Sequence, residues 1–281
     1  HSSGQGHLED DEALCQALEE LALSEGYTKI FAKVPTGRVL TFLRQGYRIE
    51  ALVPRMFHGR EDVFFLAWYP QLAWYPRGAG TETGTEKGSL LSKEGAARSI
   101  PDPDSMALLD KLIRSKCPIH EPPLSGKYRW FHCTGEDLEE MGALYKEVFD
   151  RYPFPIHKPE YLKETMQDHV EYFGIRRRDN HKLVGLSSAE LHKGFNSVEM
   201  TDFAVLPETR GEGLALFLLR RMDEYAFQRR IPSAYTIARL RSPGMNATFI
   251  KGGYRYGGTL PGNTFIGGGL ESMNVFYRVF S

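Results

Sequence analysis

The chain has 281 residues, 41% of them apolar, with 35 Lys and Arg against 36 Asp and Glu for a formal charge of −1. That length supports one large domain or two small ones, and so even a charge balance offers no global field for recruiting DNA or RNA. Three widely spaced cysteines, Cys15, Cys117 and Cys133, make neither a disulfide framework nor a CxxC metal site, and no apolar run approaches the roughly 20 residues that span a bilayer, so a cytoplasmic protein without metal or membrane is expected.

In chain order, residues 1–7, HSSGQGH, read as an expression-tag remnant and are set aside. LEDDEALCQ then opens a helix, and EGYTKIFAKVPTGRVLTFLRQGYRIEALVP follows as strand, helix and strand. DVFFLAWYP is an aromatic strand, and residues 77–103, rich in Gly, Ser and Thr, read as a flexible linker. A short helix is expected over 105–115, with a domain boundary near 125, dividing 8–125 from 126–281.

From Lys127 the pattern alternates. KYRWFHC is a strand, and GEDLEEMGALYKEVFD is an amphipathic helix with Leu138, Met141, Leu144, Tyr145 and Val148 on one face. DRYPFPIHKP is too rich in proline to be regular, and PEYLKETMQDH is a second helix with proline at its first position. Three strands in meander order follow: VEYFGIRR, KLVGLSSAELH and NSVEMTDFAVL. A glycine turn, a helix over about 213–229, the strand SAYTIARLR, the short helix GMNATFIKG and the strands GYRYGGTL and ESMNVFYRVF complete the chain. The second part is thus β-α-α-β-β-β-α-β-α-β-β, an α/β (α+β) arrangement on a mixed sheet. The stretch from Tyr27 echoes the stretch from Tyr235, each a strand–helix–strand followed by an aromatic strand, which points to duplication of half a domain.

The glycine turn carries the chemistry. Arg210, Gly211 and Gly213 lie where a strand ends and a helix begins. There the free N–H groups of the first turn, the helix dipole and an arginine combine to favour an anion. The spacing fits neither GxxxxGK[ST] nor GxGxxG, which argues against nucleoside triphosphatases and Rossmann domains. Taken alone, the same residues also suit a purely structural turn.

Arg-x-x-Gly-x-Ala after the fourth strand of this element order resembles the acetyl-CoA site of the GNAT superfamily of N-acetyltransferases. FPIHKPEYLKETM, EMTDFAVLPETRGEGLA, YTIARLRSPGMNATFIKGGYRYGGTLPGNT and ESMNVFYR resemble, more narrowly, the β-lysine N-acetyltransferases, which make the osmolyte Nε-acetyl-β-lysine. The resemblance implies a GNAT fold over 126–281, preceded by a degenerate half-GNAT-like unit over 8–125. It implies acetyl-CoA as cofactor, with the amides from Arg210 through Gly211, Glu212, Gly213, Leu214 and Ala215 on its pyrophosphate. Phe203, Ala204 and Val205 would meet the pantetheine between two splayed strands, with Asn246 also on that arm or serving as a helix cap. Phe249 stands where the family usually places a tyrosine that protonates the departing thiolate, and it cannot donate. Either Tyr254, Tyr256 or water serves instead, or the weakly basic thiolate leaves as an anion.

An ammonium is no nucleophile at neutral pH until a base takes its proton. Glu199 occupies the position of a general-base glutamate known in the superfamily. Asp202 points to the opposite face of a regular strand, though a bulge would re-aim it, and it suits a substrate ammonium. The two carboxylates also admit a structural reading, paired to Arg239 on the next strand. A bulge is expected, since a free N–H near Ala204–Val205 must polarise the thioester. Arg239, Asn263, Thr264, Glu271 and Asn274 border the expected acceptor groove, while Tyr152 and His157 lie in the loop that commonly lids it. The partner implied is a small-molecule amine, β-lysine. Lysine, a polyamine, a protein lysine, and coenzyme A binding without turnover remain alternatives. A homodimer is allowed by this reading but not required.

Overall fold

The computed structural model describes residues 3–70, 101–115 and 123–280. Cys117 and nearly all of the expected linker lie outside them. The first unit comprises α1 (Ser3–Ser24), β1 (Ile30–Pro35), α2 (Val39–Arg44), β2 (Arg48–Phe57) and β3 (Glu61–Trp68), followed by α3 (Pro103–Arg114). The second runs β4 (Tyr128–His132), α4 (Leu138–Val148), α5 (Pro159–Asp168), β5 (Val170–Arg177), β6 (Leu183–His192) and β7 (Ser197–Val205). It continues with α6 (Leu214–Gln228), β8 (Ser233–Arg239), α7 (Pro243–Lys251), β9 (Arg255–Ile266) and β10 (Gly269–Val279).

Local chemistry accounts for the element ends. Asp102 caps α3 by accepting the Ser105 N–H at 2.9 Å, with proline at the first helical position and Lys111 and Arg114 in the last turn. Pro159 opens α5 in the same way. Leu138, Met141, Leu144 and Tyr145 form the buried stripe of α4. The order matches the expected one, with one revision: the irregular stretch expected between the last two strands is zipped into the sheet. Thr264 pairs with Glu271, and only Gly267 and Gly268, at φ 60° and 87°, make the turn.

All ten strands form one sheet in the order β1-β3-β2-β9-β10-β8-β7-β6-β5-β4. The first six positions read as a palindrome of two like units. In each, the last strand lies between the first two, antiparallel to both: β3 between β1 and β2, β10 between β8 and β9. The equivalent strands β2 and β9 meet at Ala51 opposite Gly258. A Cβ at Gly258 would lie 2.1 Å from the Glu50 carbonyl oxygen, so only glycine lets the two strands approach.

Strands β1 and β8 are five steps apart, about 24 Å in a flat sheet. Yet Lys33 Nζ on β1 lies 2.7 Å from the Tyr235 hydroxyl on β8, so the sheet curls back on itself. The far end of the β2–β3 hairpin reaches the β6–β7 turn as well. The His58 N–H donates to the Phe195 carbonyl at 2.6 Å, and the Phe57 and Phe195 rings meet edge to face at 5.5 Å.

One core lies between the second unit's strands and helices, with Met141, Leu162, Phe173, Leu186, Leu218, Met222 and Phe276 at most 0% exposed. A second is shared by both units: Val53, Val63 and Phe65 pack with Tyr235, Leu260 and Val275. Full burial of each such side chain contributes about 1.5–3 kcal/mol, so the shared core ties the units together. A third, Cys15, Val39, Phe42 and Tyr47, lies within the first unit.

Candidate active site

Strands β7 and β8 run parallel and pair at only two rungs, Val198 with Ala234 and Glu199 with Tyr235. Beyond Glu199 they part, and a cavity of about 690 Å³ opens between them, walled also by α6, α7 and the loop after α4. Its volume falls in the range of small-molecule sites. Strand β7 has two residues, Asp202 and Phe203, between Thr201 and Ala204 where β6 has only Ser187 between Ser188 and Leu186, which is a bulge. Asp202 takes the left-handed conformation there, at φ 53°, and so turns toward the cavity, whose wall it forms with Thr201, Phe203 and Val205.

Past the bulge the Leu206 N–H donates to the Val184 carbonyl at 3.0 Å. Alternation along a strand therefore turns the Val205 N–H the other way, into the cleft. Ala204, just before Val205, is fully buried and faces the core instead of the cavity.

At the mouth of α6, Gly211 and Gly213 adopt left-handed conformations, φ 85° and 78°, which are strained for other residues. Gly213 is the N-cap residue and no side chain caps the helix. The first-turn donors of Leu214, Ala215 and Leu216 therefore have no intrahelical partner, and these residues line the cavity with Gly211 and Gly213. Arg210 also lines it, its Nε donating to the Val205 carbonyl at 3.3 Å. Glu212 is turned away, held by Lys127 at 2.6 Å and the Tyr128 hydroxyl at 3.0 Å. Two more cations reach the wall, Arg239 and Lys251. An uncapped helix start, two glycines and the cations Arg210 and Lys251 fit a polyanionic diphosphate.

The two expected carboxylates meet different surroundings. Asp202 Oδ1 accepts the Tyr152 hydroxyl and Oδ2 accepts Ser188, both at 2.5 Å. Burial raises its carboxyl above the ordinary value against the pull of those hydrogen bonds, and the nearby Glu199 charge adds to the rise. Glu199 is off the cavity wall. The Tyr235 hydroxyl donates to it at 2.7 Å, and Lys33 and His192 each stand 3.7 Å away. Burial opposes its charged form, but the Lys33 charge, the neighbouring His192 and the hydrogen bond from Tyr235 prevail and hold it below its ordinary value. Its partner is not Arg239, as the structural reading of the sequence had it, because Arg239 is committed elsewhere. Its Nε and Nη2 form a bidentate pair with Glu271, at 2.9 and 2.6 Å.

Asn246 and Asn274 are buried and off the cavity wall. Asn246 donates to the carbonyls of Arg239, Leu240 and Ser242 and accepts from Asn274 at 3.0 Å, and Asn274 in turn accepts from Thr259. Its Nδ2 is fully occupied in tying α7 to the end of β8. Phe249 is on the wall, edge to face with Phe203 at 5.5 Å. Neither alternative acid joins it there: the Tyr254 hydroxyl donates to Asp223 at 2.8 Å, and that of Tyr256 pairs with Thr259 at 2.6 Å. Tyr152 lines the cavity, whereas His157 lines a neighbouring hollow of about 540 Å³ that shares Phe149 and Tyr152 with it. Asn263, Thr264 and Glu271 lie on the β9–β10 ladder outside both walls.

Sequence reasoning missed Lys251, Thr248 and Gly244, which line the cavity from α7. Their spacing, Gly244, Thr248 and Lys251, places them on one helical face, and that was the available signal. Among the described residues no cluster of His, Cys, Asp and Glu is arranged to hold a metal, and no helix is long and apolar enough to cross a membrane.

Residues 138–246, which carry the β7–α6–β8 frame of this cavity, match the model of the Acetyltransferase (GNAT) family. The chain is 33% identical over 268 residues to the β-lysine N(6)-acetyltransferase of Methanococcus maripaludis, covering 95% of this chain and 88% of that one. It is 28% identical to the β-lysine N(6)-acetyltransferase of Methanosarcina mazei, over 95% of this chain and 97% of that one. It is 39% identical to the N-acetyltransferase YodP of Bacillus subtilis over 142 residues, 50% of this chain and 51% of that one.

Proposed function

Because the chain belongs to the GNAT family of acetyltransferases and is an acyltransferase, we propose that it transfers acetyl from acetyl-CoA to the side-chain amine of β-lysine. The observation that carries this reading is a single cavity in which an uncapped, cation-flanked helix start and a buried carboxylate lie on facing walls. Two relatives over nearly the whole chain are named for that acceptor.

Acetyl-CoA, when bound, supplies an acyl group activated as a thioester. The amides of Gly213 to Leu216, with Arg210 and Lys251, would hold its diphosphate, and the Val205 N–H is the donor available to a carbonyl oxygen on which charge grows. Asp202 is the group best placed to take the proton from the acceptor ammonium. It is on the wall, its raised pKa brings it closer to that of a useful base, and Tyr152 and Ser188 fix its orientation. The amine nitrogen would then form the new N–C bond as the C–S bond breaks, the coenzyme leaving as a thiolate and the second proton lost by the nitrogen reaching it through water. Arg239, aligned by Glu271, offers its remaining guanidinium nitrogen to an acceptor carboxylate.

The test is an acceptor screen with acetyl-CoA and free-thiol detection across β-lysine, lysine, ornithine and spermidine. The reading requires β-lysine to give the highest kcat/KM; preference for another amine would reassign the acceptor while keeping the chemistry. Phe249 in place of a proton donor favours a second reading, coenzyme A binding without turnover. Tight cofactor binding with no product from any amine would establish it.

A further inference from the structure

The first unit sends a charged group to the branch point of the cavity. Lys33 projects from β1, its Nζ 4.7 Å from the centre of the Tyr235 ring and 5.6 Å from that of Phe65, and donates to the Tyr235 hydroxyl at 2.7 Å. Tyr235 is fully buried and stands opposite Glu199 at the last rung before β7 and β8 part.

A phenol has one proton and two acceptor sites. Glu199, at 2.7 Å, takes the proton. The acceptor sites then receive Lys33 and His192 Nε2, each at 2.7 Å, so His192 must carry its proton on Nε2. Every capacity of the hydroxyl is used, and it and its three partners come from four strands: β8, β1, β6 and β7. Glu190 on β6, 4.0 Å from His192, stands directly across the ladder from Glu199, with Asp202 farther along β7. Carboxylates already outnumber the cations facing this junction, with His169 as a further neighbour of Glu190 at 3.7 Å, and loss of Lys33 would widen the imbalance.

We propose that Lys33 is a positioning residue for acetyl transfer, acting through Tyr235 and Glu199 to fix the point at which β7 and β8 diverge and hence the placement of Asp202. This rests on the acetyl-transfer reading above. It makes the first unit part of the working site, although none of its described residues lines the cavity.

The test uses the full chain and the best acceptor from the screen. Lys33→Met, which keeps the stem but not the charge, is expected to lower kcat about tenfold, within the range of couplings measured in shared hydrogen-bond networks. KM for acetyl-CoA should stay within about twofold, since Lys33 lies off the cofactor's wall. The acid limb of the rate profile, set in the native chain by Asp202, should gain a second component from Glu199, because Glu199 loses the cation that favours its charged form. Lys33→Arg should recover most of the loss, and in a Tyr235→Phe background Lys33→Met should have little further effect. A normal rate and profile for Lys33→Met, no recovery with arginine, or full additivity with Tyr235→Phe would each overturn the proposal. Should Lys33→Met fail to fold, Lys33→Gln in the two backgrounds takes its place, and equal losses in both would overturn it. Imidazole ¹⁵N spectra need no acceptor: the His192 Nε2 signal should shift in the Lys33 variant. That readout separates failure of this proposal from failure of the acetyl-transfer reading, which falls if the native chain acetylates no amine.

Discussion

Asp202 and Glu199 are three residues apart on one strand, yet Asp202, within the bulge, lines the cavity while Glu199, ahead of it, sits at the β7–β8 junction. Replacing Asp202 by Asn should lower kcat by about 10²–10⁴, the usual worth of a positioned base, with partial recovery at high pH where free amine is abundant. A base works ionised, so activity should fall as pH drops through a pKa raised above the ordinary carboxylate value, and the acid limb should vanish in the variant. Glu199→Gln should be milder, about tenfold, because it loses an orienting contact and not the proton acceptor. Equal losses in the two variants would return the base to Glu199. Gly213 is a separate case: at φ 78° a valine is strained by about 1–2 kcal/mol. Gly213→Val should therefore weaken coenzyme A binding measured by calorimetry, and unchanged affinity would make the turn structural only.

The elements around the cavity are held by buried polar ties that leave the chemistry alone. Asp223 of α6 accepts the Tyr254 hydroxyl at 2.8 Å and pairs with Arg278 of β10 at 2.7 Å, fastening the helix to the end of the sheet. Burial, only partly offset by Arg278 and Tyr254, raises the Asp223 carboxyl to about 6. A carboxyl whose folded pKa is raised stabilises the fold most below its unfolded value, and that contribution is lost as pH rises through 6. Over that window the linkage is about 3 kcal/mol. Asp223→Asn should flatten this part of the stability profile, read from urea unfolding at pH 4 and 7; an unchanged slope would show that Asp223 does not titrate there. The Asn246–Asn274–Thr259 chain plays a similar part for α7. Asn246 therefore acts on the cavity indirectly, by fixing the helix that carries Thr248, Phe249 and Lys251.

At the scale of the whole molecule, the two like units share one sheet and one core. Removing the first would expose Tyr235, Leu260, Val275 and the β9 edge, and would strip the Tyr235 hydroxyl of Lys33. A fragment from Lys127 onward should thus be poorly soluble, or fold with a lowered melting temperature and impaired turnover. A soluble fragment with the native rate would show that the first unit is dispensable. Its ladder with β9 has one rung, Ala51 with Gly258, beside the Lys29 contact to the Pro261 carbonyl at 2.9 Å, so Gly258→Val, which puts a Cβ onto the Glu50 carbonyl, offers a milder version of the same test.

The element order, the helix start at Gly213 and the cations of the turn were legible in the chain because each depends on neighbours within a few residues: periodicity, caps and glycine conformations are local. The echo between the stretches from Tyr27 and Tyr235 was legible for the same reason, and it reappears in the matching strand order of the two units. Which carboxylate faces the cavity was not, since one extra residue in a bulge reverses every side chain beyond it. Nor was the reach of Lys33 to Tyr235, which depends on how far a ten-stranded sheet curls, or the commitment of Arg239 to Glu271. Those contacts join residues 202 and 32 positions apart, and only the packed sheet decides which distant groups meet.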